Sequence, residues 1–242
     1  MTYCVALALD EGLVCLSDSR SNAGVDQVAI YRKLHLFTPS HDRLLMVMTA
    51  GNLATTQQVM HWVERDLNNR ADQHLGRCRH LFEAAEYLGT LLREVQQQHG
   101  EVLRQSGVNA EASLILAGQV RDEAPGAFMI YPQGNYISAS DTTPFLQIGE
   151  SKYGRPIMAH MAHRGLPLAD GARLALVSMD AVQRSNISVG PPFELAVYRR
   201  NRFELDQHLE MELNDEPYAG IAEAWQRELE AGFGRLPRFD WE

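Results

Sequence analysis

The chain has 242 residues and carries 22 Lys+Arg against 31 Asp+Glu, a formal charge of −9. That acidity argues against nucleic acid as the main partner, and a composition of 45% hydrophobic and 22% charged residues argues against disorder. No run approaches the ~18 apolar residues of a membrane span, and Met1-Thr2-Tyr3-Cys4 lacks the basic start of a signal peptide. Cys4, Cys15 and Cys78 are an odd number without metal spacing and fit a reducing compartment, so the expectation is a soluble, cytoplasmic protein.

The first fifty residues read as strands. Tyr3 to Leu9 and Leu13 to Ser17 flank Asp10-Glu11-Gly12, a tight hairpin turn, and both runs are so apolar that burial on both faces is expected. Lys33 to Phe37 and Arg43 to Thr49 form a second pair across Thr38-Pro39-Ser40-His41-Asp42. After Gly51 the period becomes helical. Leu53, Val59, Met60, Val63 and Leu67 form one stripe, and Leu81, Phe82, Ala85, Leu88, Leu92 and Val95 another.

Strands return at Ala112 to Val120, Ala127 to Tyr131, Tyr136 to Ala139 and Phe145 to Ile148. A helix follows over Leu168 to Arg184, then a hairpin of Phe193 to Tyr198 and Phe203 to Leu209, and an amphipathic tail helix from about Asn214 to Leu236. Strand groups that turn on hairpins favour antiparallel sheets over a doubly wound parallel sheet. Two such sheets stacked, with helices on both outer faces, give an α+β, four-layer αββα sandwich. Without a linker or repeat, residues 1–242 read as a single domain with a C-terminal helical tail from about 214.

Nucleotide-binding, serine-hydrolase and zinc-protease motifs are absent, so no cofactor and no metal is expected; His160 and His163 share no acidic ligand and read as surface histidines. What remains is the start of the chain. Residue 2 is small enough for Met1 to be removed, and an N-terminal Thr2 would carry both a hydroxyl nucleophile and an α-amine of pKa ~7.7–8.0 that can take its proton. Asp18 ends the second strand and Lys33 opens the third, so neighbouring strands can bring Thr2, Asp18 and Lys33 to one sheet edge. An ammonium there depresses the pKa of both amine and hydroxyl. Lys33 and Lys152 are the only lysines among the 22 basic residues, and a chain that otherwise uses Arg keeps Lys where a compact ammonium matters. Gly51, at the strand-to-helix junction, can supply an oxyanion hole.

These elements resemble the proteasome-type N-terminal-nucleophile hydrolases. Three longer stretches resemble the bacterial branch called Anbu, relatives of the HslV protease: Ser17 to Asp26, Ile148 to Ile157 and Arg184 to Pro192. The resemblance implies the αββα sandwich, hydrolysis of peptide bonds in peptides or unfolded proteins through Thr2, and a homo-oligomer, either a ring or an open helical array. It makes Asp18 and Lys33 the charged supports of Thr2, and Gly51 the oxyanion donor. It makes Ser185, Ser188, Glu150 and Ser151 supporting residues. Ser185 stands where such subunits carry Asp, and Gly149-Glu150-Ser151 where they carry Gly-Ser-Gly. Thr49 and Leu53, beside Gly51, are expected to shape the substrate pocket. Nothing in the sequence names an ATPase partner. The other readings are a small-amide amidohydrolase on the same fold and a non-catalytic assembly subunit; the joint presence of Thr2, Asp18 and Lys33 speaks against the latter.

Overall fold

The structure is a computed structural model and describes residues 1–22 and 28–242. The sequence begins with the expected hairpin, β1 (Tyr3–Leu9) and β2 (Gly12–Asp18), every residue of which is buried. The alternation of β1 decides its two faces. Tyr3, Val5, Leu7 and Leu9 join one apolar cluster, while the smaller Cys4, Ala6 and Ala8 join another. Large side chains thus meet helices on one face, and small ones let a second sheet approach on the other.

β1 and β2 sit inside a five-stranded sheet together with β10 (Phe145–Gly149), β11 (Phe193–Arg199) and β12 (Gln207–Met211), in the order β10-β1-β2-β11-β12 with every neighbour antiparallel. The second sheet runs β5-β6-β7-β8-β9, built from β5 (Leu34–Ser40), β6 (Arg43–Gly51), β7 (Ala112–Val120), β8 (Gly126–Ile130) and β9 (Tyr136–Ser138), again antiparallel. A short ribbon of β3 (Arg20–Asn22) and β4 (Val28–Ile30) stands apart from both.

Cys4, Ala6, Cys15, Leu34, Met46, Met48 and Ile115 fill the space between the sheets. Helices α3 (Ser151–Met161), α4 (Leu168–Ser185) and α5 (Tyr218–Gly234) cover the first sheet; α1 (Leu53–Asn68) and α2 (Leu81–Gln105) cover the second. The result is the four-layer αββα sandwich expected from the sequence. A fully buried leucine such as Leu7 or Leu116 holds it together; truncation to Ala costs ~2–5 kcal/mol at such positions.

The departures from expectation have local causes. β5 continues through Pro39 to Ser40, with its register interrupted between Phe37 and Ser40, because an edge strand tolerates a residue without an N–H. α3 has no counterpart in the sequence reading: Gly154 and Pro156 break its apolar period, yet Gly154 is where the helix packs against the Tyr3 hydroxyl. β12 starts at Gln207 instead of Phe203, since Asn201 and Phe203 adopt positive φ and lengthen the loop. The tail helix begins at Tyr218, after Pro217, rather than near 214.

Candidate functional site

The site lies where β1 begins, β2 ends and β5 begins. The Asp18 carboxylate is fully buried, and one of its oxygens organises the corner. Oδ1 accepts from Lys33 Nζ at 2.7 Å and from the Tyr3 backbone N–H at 2.9 Å. Oδ2 accepts from the Gly190 N–H at 3.3 Å. Thr2 is therefore covalently joined to a residue that shares its acceptor with the Lys33 ammonium. Burial pushes the Asp18 carboxyl upward in pKa, opposed by the Lys33 charge and by both backbone donors.

Lys33 is 4% exposed and donates also to the Arg20 carbonyl at 2.6 Å. An ammonium has three N–H donors, so two are engaged and one remains for a group in front. Removing either member of such a buried pair costs ~3–5 kcal/mol, because the survivor is left charged and dry. The chain's α-amine, here on Met1, is held below its usual pKa. Burial is the first cause and Lys33 the second, with Asp18 and Glu150 pulling the other way.

Two glycines shape the corner. Gly149, at φ +82°, ends β10 opposite Tyr3, and a Cβ there would lie 1.9 Å from the Thr2 carbonyl oxygen. That oxygen accepts the Glu150 N–H at 2.7 Å, which fixes Thr2 from behind. Gly51, at φ +111°, ends β6, and a Cβ would meet the Glu111 carbonyl at 2.5 Å. The Thr49 N–H donates toward β5, to the Lys33 carbonyl at 3.0 Å, and the Asn52 N–H toward Glu111 on the other side. By strand alternation the Gly51 N–H points toward β5 as well, one step past Lys33. Asn52 caps α1 by accepting from the Thr55 N–H.

The other expected site residues are spread more widely. Thr49 is buried on the Lys33 side of β6, and Leu53 opens α1, half-buried. Glu150 is 7% exposed and directly precedes α3, which starts at Ser151. Ser185 is exposed at the end of α4, where its hydroxyl donates back to the Ala181 carbonyl. Ser188 lies in the following loop, with its N–H on the Asn186 side chain. Residues 23–26, the end of the Ser17-to-Asp26 stretch, lie outside the described residues.

Sequence reasoning assigned no role to Arg20, Gly190 or Tyr3. The Arg20 guanidinium packs on Gly190 and donates to the Ile187 carbonyl at 2.8 Å, clasping the loop that presents Gly190 to Asp18. The Tyr3 hydroxyl is held at 2.5 Å by both Ser178 and Gln147. Arg20 and Gly190 both belong to the stretches that carried the resemblance, which was the available signal. His35, two residues along the strand from Lys33, was also passed over; burial, with help from Arg32, lowers its pKa to about 4.

A sandwich of two antiparallel sheets between helices, with residue 2 set against a buried Asp–Lys pair, has the architecture of a proteasome-type subunit. No protein-family profile and no curated protein sequence matches the chain. Solved structures do. An Anbu (ancestral beta-subunit) protein from Yersinia bercovieri aligns at 39% identity and TM-score 0.92, over 98% of each chain. The Anbu complex of Pseudomonas aeruginosa, solved as a helical assembly, gives the same identity, coverage and TM-score. A Gly-1 mutant of Anbu from Hyphomicrobium sp. strain MC1 aligns at 37% identity and TM-score 0.91, over 99% of this chain and all of that one. This chain belongs to the Anbu family, the ancestral β-subunit branch of the proteasome-type proteins. No helix of the described residues is long and apolar enough to cross a membrane.

Proposed function

We propose that the protein is a threonine-type peptidase that hydrolyses peptide bonds through Thr2 once Met1 has been removed. The observation that carries this reading is the shared oxygen of Asp18, which seats a dehydrated Lys33 ammonium beside the residue bonded to Thr2. In the first step the Thr2 α-amine takes the Oγ proton as Oγ attacks the scissile carbonyl carbon. The C–O bond forms, and the carbonyl electron pair moves to oxygen, where the Gly51 N–H receives the negative charge. Lys33 stabilises Oγ as it loses its proton, and Asp18 keeps Lys33 charged and aimed. The amine then passes its proton to the leaving nitrogen, the C–N bond breaks, and an ester on Thr2 remains. Water attacks that ester with the same amine as base, releasing a carboxylic acid and restoring Thr2.

Thr49 and Leu53 border the pocket for the residue before the scissile bond. The site works within a homo-oligomer, as the helical assembly of the Pseudomonas aeruginosa relative supports. The test is hydrolysis of an unfolded protein and of a fluorogenic peptide panel by the Met1-free chain and by Thr2→Ala. Loss of all turnover in Thr2→Ala, with folding unchanged, is the expected result; turnover equal to the parent's would overturn the reading.

A further inference from the structure

The last helix runs past the body it packs on. Tyr218 and Ala222, on its first turns, are buried in the core beneath the first sheet, Ile221 packs on that core, and Trp225 is half-buried. Leu229 and Phe233 continue the same stripe at i+4 spacing, yet they are 50% and 77% exposed. Beyond the helix end Leu236, Phe239 and Trp241 are exposed as well, the last two rings stacked on each other at 4.1 Å. These five residues expose roughly 600 Å², the upper end of what a soluble monomer leaves in one apolar patch and a size that marks an interface.

Beside the buried half of α5 lies a groove of about 450 Å³, lined by Leu166, by Leu174 and Val177 of α4, and by Ile221 and Trp225 of α5. The helix is continuous, so Phe233 stands ~12 Å along its axis from Trp225 and cannot fold back onto this groove. The cover has to come from outside. A second copy carries both halves of the contact, the overhanging stripe and the groove it would close. The charges agree. Residues 231–238 hold only Arg235 and Arg238 as charged residues, whereas residues 220–230 hold Glu223, Glu228 and Glu230 against Arg227. An antiparallel pair lays the positive stretch of each helix along the negative stretch of the other; a parallel pair would set like against like.

We propose that the overhang of α5 is an isologous contact between two copies of this chain, whose helices cross antiparallel about Leu229. In that register Phe233 meets Trp225 of the partner subunit and Leu236 meets Ile221 of the partner subunit, at the mouth of its groove. With both overhangs covered the contact buries at least roughly 1,200 Å², the range of a stable dimer. An isologous contact closes at two copies, so it supplies the pair from which a larger particle is built. The proposal rests on the homo-oligomer reading and deepens it; it does not depend on the chemistry at Thr2.

The test uses the full chain. A two-fold crossing at Leu229 sets that residue against its own copy. Leu229→Cys should therefore give a disulfide-linked dimer on oxidation by copper phenanthroline, while Arg227→Cys, on the opposite side of the helix, should not. Cys4, Cys15 and Cys78 are buried and leave the introduced thiol as the accessible one. Phe233→Glu places a carboxylate that the contact would have to desolvate, so sedimentation at micromolar concentration should show a particle at least ~2-fold smaller than the parent's. A covalent dimer specific to Leu229→Cys, together with the smaller particle in Phe233→Glu, supports the contact. Equal cross-linking of the two cysteine variants, or a Phe233→Glu particle of the parent's mass, overturns it. If the parent stays large in that case, the α5 contact fails and the homo-oligomer reading stands; a monomeric parent would remove both. A specific dimer in a chain without turnover at Thr2 would leave the contact standing without the peptidase.

Discussion

Lys33→Arg isolates the role of the ammonium, because it keeps the charge and changes only its shape. In the folded protein the ammonium sits 2.7 Å from Asp18 Oδ1 and 2.6 Å from the Arg20 carbonyl, in a space that leaves it 4% exposed. Two N–H donors are committed, and the third is the one the proposed mechanism assigns to Thr2 Oγ. A guanidinium spreads its donors in a plane on a larger headgroup and cannot meet two acceptors at this spacing while offering a third N–H out of plane. Asp18 still has a counter-charge, so stability should fall by the ~1–3 kcal/mol of an overpacked site. Lys33→Met would incur the larger penalty of an unpaired buried carboxylate.

Reactivity should suffer more than stability. Removing one preorganised donor from a developing anion costs ~10²–10³ in rate, or ~2.7–4 kcal/mol. The assay is the second-order rate constant for acylation of Thr2 by a β-lactone, followed by intact mass, which does not depend on peptide preference. We expect a drop of at least ~100-fold. A rate within ~3-fold of the parent's would refute the assignment of Lys33 and reduce its pair with Asp18 to a structural one.

Three further outcomes follow from particular contacts. Gly149→Ala places a Cβ 1.9 Å from the Thr2 carbonyl oxygen at a φ of +82°, so a loss of ~1–2 kcal/mol should accompany a loss of at least ~10-fold in β-lactone acylation; full reactivity would contradict the placement of Thr2. His35 has its pKa lowered to about 4 from 6.5, so the unfolded chain binds the extra proton between these values. The corresponding stability is complete above pH ~6.5 and is lost as pH falls toward 4, at most about 3 kcal/mol. Urea unfolding at pH 7 and pH 4.5 should show a smaller difference in His35→Gln than in the parent. Light scattering should give a particle several times 27.2 kDa at micromolar concentration; a fully active monomer would remove the compartment from the account.

β1 and β2 were legible as near-continuous apolar runs around a turn, which strands buried on both faces require, and α1, α2 and α4 as 3.6-residue stripes that sort side chains between core and exterior. α3 was not legible, since Gly154, which serves contact with Tyr3 and with Ser178 of α4, and the exposed Pro156 both interrupt that period. Thr2 and Asp18 could be gathered from strand order, because β1 and β2 are adjacent antiparallel strands; Lys33 and Gly51 belong to β5 and β6 of the other sheet, so the expected single sheet edge is instead a corner where the two stacked sheets bring Lys33 onto Asp18. Gly190 and Arg20 could not. Gly190 reaches Asp18 from 172 residues away and the Arg20 side chain grips the same loop, and long-range loop placement leaves no local pattern. Glu150 was read as a supporting residue where the motif departs from the family's; that it is buried, with its N–H on the Thr2 carbonyl, is visible only in three dimensions.

The central claim is that Thr2 is a nucleophile with a free α-amine. An α′,β′-epoxyketone peptide tests both halves at once, since its stable adduct needs the hydroxyl at the ketone carbon and the amine at the epoxide. Intact mass and peptide mapping after incubation should show the chain without Met1 and one adduct on Thr2, formed by the parent and absent from Thr2→Ala. A Met1-free, folded chain that stays unmodified, or an adduct that persists in Thr2→Ala, would contradict the account.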